Sequence, residues 1–250
     1  MRHPFRPTGD AIAIGTFIKS TAPQTVEVLG LTDLHFGVLD AEHAPLDRLT
    51  VDLLLLAGRA AGLPLLLRPD ARDSSLIQSA LDSGASGLLV PHVDTVDDAR
   101  AAVARARYRN GLRGFSSATR AAGYGTSGMA AAIAAGDDSL VICQIESPEA
   151  VSNAAAIARV EGVGGLLVGR ADLAVSMGEA SADSAAVVEA AVTVARAARA
   201  AGKIAGMAVG NGAECAKFRA SGVNWFVVSS DQGLLRKATV EMIKGAEAMP

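Results

Sequence analysis

Short apolar runs return along the chain at a nearly regular interval, and each gives way to a segment whose apolar positions recur every three or four residues. The runs lie at 11–17, 36–40, 63–68, 86–91, 140–146, 164–169, 204–210 and 225–230. They stay apolar almost to their ends, as parallel strands do when helices cover both faces. Segments 46–62, 75–84, 95–108 and 184–202 carry the helical period instead. Gly62, Gly84 and Gly202 stand where helices should stop, and glycine readily takes the left-handed conformation that ends a helix.

Eight strands alternating with helices in 250 residues predict a (β/α)8 barrel. An open doubly wound sheet holds as many strands, but no glycine-rich dinucleotide fingerprint follows the first run. No linker or shift of composition divides 1–250, so a single domain is expected. The alternation breaks once, at 110–137, where "GLRGFSSATRAAGYG" separates the fourth and fifth runs. A loop of that length in a compact domain is usually functional.

Charge and composition act mainly by exclusion. The net charge is -3 and no basic stripe occurs, which argues against a nucleic-acid partner. The apolar stretches are far shorter than a bilayer span, and the first ten residues hold no segment of signal-peptide length. With two cysteines, Cys143 and Cys215, no disulfide framework is expected. Together these features predict a cytoplasmic protein without a membrane partner.

Candidate chemistry gathers at the strand ends, which form the active face of barrel enzymes. The second run closes on Asp40, with Glu42 and His43 just beyond. The third closes on Arg68, the fourth on His92, the fifth on Gln144 and Glu146, and the sixth runs into "GRADL" with Asp172. Glu146 and Asp172 end neighbouring strands, and two close carboxylates repel unless a proton or a cation lies between them. Oxygen donors of this kind suit Mg²⁺ or Mn²⁺. The alternative for Glu146 is an acid that caps the next helix, but Ser147 and Pro148 make a better N-cap and first-turn pair. His43 follows Asp40 by three residues, so the carboxylate is expected to accept from one ring nitrogen and free the other for proton transfer. The alternative is an ordinary surface histidine. Arg68 faces either a developing oxyanion or one of the acids just named. His92 is a weaker candidate for substrate contact, and Lys19 is the lysine placed to form a Schiff base.

The motifs "LDAEHAP", "LLLRP", "LLVPHV", "QIESPEAV" and "LLVGRADLAVSMG", in that order, resemble the HpcH/HpaI aldolases of the phosphoenolpyruvate/pyruvate barrel superfamily. The resemblance spans about 15–235 and implies a metal-dependent aldolase that reversibly cleaves 4-hydroxy-2-oxo acids to pyruvate, or hydroxypyruvate, and an aldehyde. It implies that Glu146 and Asp172 hold the cation, with Mg²⁺ or Mn²⁺ first and Co²⁺ or Zn²⁺ as further candidates. His43, oriented by Asp40, becomes the acid/base acting through a water. Arg68 holds the keto oxygen, Gln144 lines the pyruvate pocket, the amides of Ala171 and Asp172 hold the carboxylate, and Glu42 acts indirectly. The resemblance also implies a last helix exchanged between subunits, in dimers that assemble into a hexamer. Two positions depart from the family pattern: Arg170 where many members have proline, and His35 where aspartate is common. The acceptor side is expected from the 111–125 loop with Arg120, Arg170 and a neighbouring subunit, with narrow donor choice and broad use of unphosphorylated aldehydes. The rival readings are an acyl-CoA lyase of the same superfamily and a non-catalytic oligomeric binding barrel.

Overall fold

The computed structural model describes residues 5–9, 11–70 and 74–247, and its apolar runs close into a parallel barrel. The strands are β1 (Ala13–Ile18), β2 (Phe36–Asp40), β3 (Leu65–Arg68), β4 (Gly87–Val90), β5 (Leu140–Ile145), β6 (Gly165–Val168), β7 (Ile204–Val209) and β8 (Trp225–Ser230). They pair in chain order, and β8 returns to β1. Each expected strand forms, trimmed or shifted by one or two residues at its ends. The helices are α1 (Pro23–Gly30), α2 (Arg48–Ala61), α3 (Ser74–Asp82), α4 (Val96–Ala106), α5 (Met129–Asp137), α6 (Pro148–Ala158), α7 (Arg170–Met177), α8 (Ala185–Ala200), α9 (Gly212–Arg219) and α10 (Asp231–Glu247). Among the described residues no helix is long and apolar enough to cross a membrane.

Helix ends follow local chemistry. Asp47 accepts from the Thr50 N–H at 2.8 Å to start α2, a cap whose loss costs about 1 kcal/mol. Gly62, Gly84 and Gly202 close their helices with φ of 64°, 96° and 70°. On α2, Val51, Leu54 and Leu55 turn inward while Leu49, Leu53 and Leu56 stay exposed.

Alternation along each strand separates two cores. Leu39, Leu67, Leu88, Val141 and Leu166 face the helices. Phe36, Val38, Leu66, Ile142, Leu167 and Trp225 fill the barrel itself. At its N-terminal end the rings of Phe36 and Trp225 stack with centroids 3.9 Å apart and planes within 10°. Gly15 makes this possible, because a Cβ there would stand 2.3 Å from the Phe36 ring. Trp225 Nε1 donates to the Phe5 carbonyl at 3.0 Å, so the segment before β1 covers the stack from below.

The insertion between α4 and β5 lies at this same end. Helix α4 runs antiparallel to the strands and delivers the chain to the barrel floor before the insertion begins. There Arg107 donates to the Ser139 carbonyl at 2.8 Å, and Arg113 meets Asp82 at 2.8 Å. Arg120 donates to the Ser83 carbonyl at 2.9 Å and to Asp52 at 3.1 Å. The loop and Arg120 therefore do not line the mouth of their own barrel, as the sequence had suggested.

Helix α10 is attached differently from the others. Asp231 opens it by accepting from the N–H groups of Lys19 at 3.1 Å and Ser20 at 2.9 Å. Beyond that first turn no residue of α10 is buried, and Leu235 and Met242 are 72% and 67% exposed.

Candidate active site

Inward positions change from apolar to polar at one level, the mouth of the barrel. Asp40 follows Phe36 and Val38 along β2, and Arg68 follows Leu66 along β3. Parallel pairing sets Asp40 beside Arg68 in register. The guanidinium grips the carboxylate with two donors, Nε to Oδ1 at 3.0 Å and Nη2 to Oδ2 at 2.8 Å. Lys19 Nζ adds a second cation 3.2 Å from Oδ2. Burial alone would raise the Asp40 carboxyl, but Arg68, the His43 N–H and Lys19 together hold it below its ordinary value. Arg68 also lies over the Phe17 ring, 4.4 Å from its centroid, and its free Nη1 reaches Gln144 Oε1 at 3.5 Å.

Asp40 therefore does not orient the His43 ring, contrary to the expectation from spacing. Its Oδ1 accepts from the His43 backbone N–H at 3.1 Å, because the in-register arginine and Lys19 already occupy the carboxylate. The imidazole stands at the rim and faces Glu42, with Nε2 3.9 Å from Oε2. Arg68 Nε lies 3.2 Å from that same Glu42 oxygen, but its N–H is directed at Asp40. The buried oxygen thus has a charge contact without a hydrogen bond. Burial raises the Glu42 carboxyl, Arg68 draws it down and the Glu146 charge pushes it up, with a net displacement upward.

On β5 the inward series runs Ile142, Gln144 and, just past the strand, Glu146. Ser147 caps α6 by accepting from the Ala150 N–H at 3.0 Å, which leaves Glu146 to the site as expected. Glu146 Oε1 accepts from the His92 N–H at 2.7 Å and lies 2.9 Å from its Nδ1, while Oε2 accepts from Gln144 Nε2. Asp172 sits in the first turn of α7 rather than at the end of β6. It is exposed, and among the described residues its carboxylate has no hydrogen-bond or ion-pair partner. Between these acids lies Gly169, where a Cβ would stand 3.0 Å from Glu146 Oε2 and 3.2 Å from Gln144 Nε2. Glycine keeps that space open. A buried carboxylate, an unpartnered one and a gap beside them fit a hard divalent cation completed by water and substrate oxygens. Among the described residues no group of three or more His, Cys, Asp or Glu side chains is arranged to hold a metal. Phe17, Lys19, His43, Arg68, Gln144 and Asp172 line the adjoining cavity of about 390 Å³.

Residues 13–238 match the HpcH/HpaI aldolase/citrate lyase family. The chain belongs to that family. It is 35% identical to a 5-keto-4-deoxy-D-glucarate aldolase of Shigella dysenteriae serotype 1 over 92% of this chain and 91% of that protein. A crystal structure of an HpcH/HpaI aldolase/citrate lyase family protein from Burkholderia cenocepacia J2315 superposes with a TM-score of 0.91 at 32% identity, covering 98% of this chain and 97% of that one. The HpcH/HpaI aldolase structure from Desulfitobacterium hafniense DCB-2 gives 0.88 at 25% identity, covering 96% and 95%. Family and relatives together make this chain a lyase, an aldolase of the pyruvate type acting on hydroxy-oxo acids, in a family generally dependent on a divalent metal.

Of the two departures from the family pattern in this HpcH/HpaI barrel, Arg170 lines the cavity and His35 does not. His35 precedes β2, and its Nδ1 accepts from the Ile14 N–H at 3.0 Å, at the closed end. Arg170 is buried and fully engaged. It donates to Asp183 at 2.9 Å and to the carbonyls of Ala182 at 3.3 Å and Ala208 at 3.4 Å, pairs with Glu214, and lies 4.8 Å from the centre of the Phe218 ring. Its charge is neutralised within the wall, so the expectation that it reads the aldehyde is replaced by a structural one: it ties the start of α7 to α9 and to the 179–184 loop. Two residues were undervalued by sequence reasoning. Lys19 reaches the site as a partner of Asp40, and an amine free to form a Schiff base would first have to leave that pair. His92, in the rim segment "VPHV", contacts both Glu42 and Glu146. Its position after a strand was a legible signal; its backbone φ of 53° was not.

Proposed function

We propose that this chain cleaves 4-hydroxy-2-oxo acids between C3 and C4, releasing pyruvate or a close analogue such as hydroxypyruvate and an aldehyde, and runs in reverse for synthesis. A 5-keto-4-deoxy-glucarate-type diacid is the first substrate to try, by analogy with the relative of that activity. The observation that supports the reading is the meeting of Arg68 Nη1 and Gln144 at the floor of a cavity rimmed by His43 and Asp172.

Glu146 and Asp172 would hold the divalent cation, Mg²⁺ or Mn²⁺ before Co²⁺ or Zn²⁺. When bound, the cation supplies Lewis-acid polarisation of the 2-oxo group. The first turn of α7 has no side-chain cap at Gly169, so the Ala171 and Asp172 N–H groups are available to a substrate carboxylate. Gln144 orients the donor, and Arg68 Nη1 stabilises negative charge on the keto oxygen, with Asp40 holding the guanidinium in place. His43 accepts the proton of the C4 hydroxyl. As the C3–C4 bond breaks, its electron pair passes into the pyruvate enolate and the aldehyde departs. Protonation at C3 completes the cycle. The aldehyde side is broad in this reading, because Lys19, Ser229 and Ser230 offer polar contacts but no phosphate cradle.

The reading extends to assembly. Helix α10 leaves its own barrel after one turn and displays Leu235 and Met242, which suits exchange with a second copy in dimers that build a hexamer. Pyruvate release from a panel of 4-hydroxy-2-oxo acids, with and without a chelator, tests the activity. Chelator-insensitive release would overturn the cation assignment, and no release from any member would overturn the reaction.

A further inference from the structure

We infer that His92 is a positioning residue that ties Glu146 to the loop carrying His43, its imidazole standing between the Glu146 and Glu42 carboxylates. The inference rests on the assignment of Glu146 as a metal ligand. Its geometry comes from three separate strand ends. Glu42 follows β2, His92 follows β4 and Glu146 follows β5. His92 Nδ1 stands 2.9 Å from Glu146 Oε1 and Nε2 stands 3.1 Å from Glu42 Oε1, so the half-exposed ring lies within ion-pair distance of both carboxylates. The His92 N–H donates to the same Glu146 oxygen at 2.7 Å, which gives that oxygen two contacts from one residue.

The backbone supports a specific role over a casual contact. His92 has φ 53°, a left-handed conformation uncommon outside glycine, and histidine is among the few side chains enriched there. With the ring and the N–H on Oε1, Glu146 turns Oε2 toward Gly169 and Gln144. Arg68 closes the far end by standing 3.2 Å from Glu42 Oε2. The segment that places the proton-transfer residue is thereby registered against the carboxylate that would hold the metal. Groups that orient a metal ligand from outside typically change affinity by about 10–100-fold when lost.

The test is Mn²⁺ binding to the metal-free protein, read as free Mn²⁺ by electron paramagnetic resonance, together with thermal unfolding. His92→Asn suits the left-handed backbone and keeps the N–H, but its side chain is too short to span both acids. We expect it to weaken Mn²⁺ binding by ~10–100-fold with no fall in melting temperature, whereas a merely structural role would lower the melting temperature and leave affinity alone. In a Glu42→Gln background the same substitution should cost clearly less, because one end of the bridge is already gone. Binding within about twofold of wild type, or an equal loss in both backgrounds, overturns the bridge. If His92→Asn does not fold, His92→Gly carries the same comparison. Failure of the wild type to bind Mn²⁺ at all removes the metal assignment, and the bridge falls with it.

Discussion

At the closed end of the barrel, where Phe36 stacks on Trp225, Arg107, Arg113 and Arg120 bind carbonyls and carboxylates of the same wall. At the open end Arg68 is just as buried and just as firmly paired, but one of its donors is turned into a cavity. The chemical groups are alike; what differs is what remains unused. The floor has apolar rings where the mouth has Gly169 and, among the described residues, an unpartnered Asp172. One end turns its arginines into its own wall, and the other presents an arginine donor and an exposed carboxylate to a cavity, which is how a rigid scaffold can carry a reactive site.

Substitutions at the two ends should therefore fail in different ways. The largest effect is expected at the mouth: His43→Ala should lower aldol cleavage by about 10²–10⁴-fold, the usual contribution of a general base, with little change in melting temperature. Oxaloacetate decarboxylation, which removes no hydroxyl proton, should fall less, whereas Arg68→Ala should damage both reactions. Equal losses in the two reactions for His43→Ala would contradict its role. At the floor, Phe36→Ala should cost about 3–5 kcal/mol in denaturant unfolding, as truncation of a buried aromatic does. Protein that remains folded should retain its KM for donor, and a large rise in KM would show that the two ends are not independent.

The next effect is a matter of pH. Asp40 has a lowered folded-state value, so its contribution to stability is fully present above the ordinary carboxylate range near pH 4 and is lost as pH falls through the folded value. Acid should therefore loosen the mouth through the Arg68 grip. In Asp40→Asn that part of the acid dependence should disappear, while stability at neutral pH falls because Arg68 and Lys19 lose their counter-charge. A wild-type acid profile unchanged by Asp40→Asn would exclude this account. Smallest of all, Asp52→Asn at the Arg120 pair should cost no more than about 1 kcal/mol, as a partly exposed ion pair does, and leave turnover untouched.

Much of this contrast was legible before the fold was known. Strand ends, helix caps and helix-ending glycines are local properties, so the barrel, the Ser147 cap and the rim positions of Arg68, Gln144 and Glu146 could be read from pattern alone. Pairing could not. Asp40 lies three residues from His43 but meets its backbone, because β3 brings Arg68 alongside in register. The 111–125 loop looks like part of the acceptor side in the sequence, yet α4 carries the chain to the floor of its own barrel before the loop begins. Arg170 looks available until α9 and the 179–184 loop supply Glu214 and Asp183. Each miss concerns a partner supplied by a distant segment, and spacing alone cannot report it.

The ring stack over Gly15 bears on the order of events in turnover. A vessel with one door imposes a queue: substrate, products and water share the same passage, and the fragment seated deeper leaves last. In the proposed orientation the pyruvate half lies inward, against Gln144 and Arg68, and the aldehyde half lies outward. The aldehyde therefore departs first, and pyruvate should behave in product-inhibition kinetics as the ligand that meets the empty enzyme.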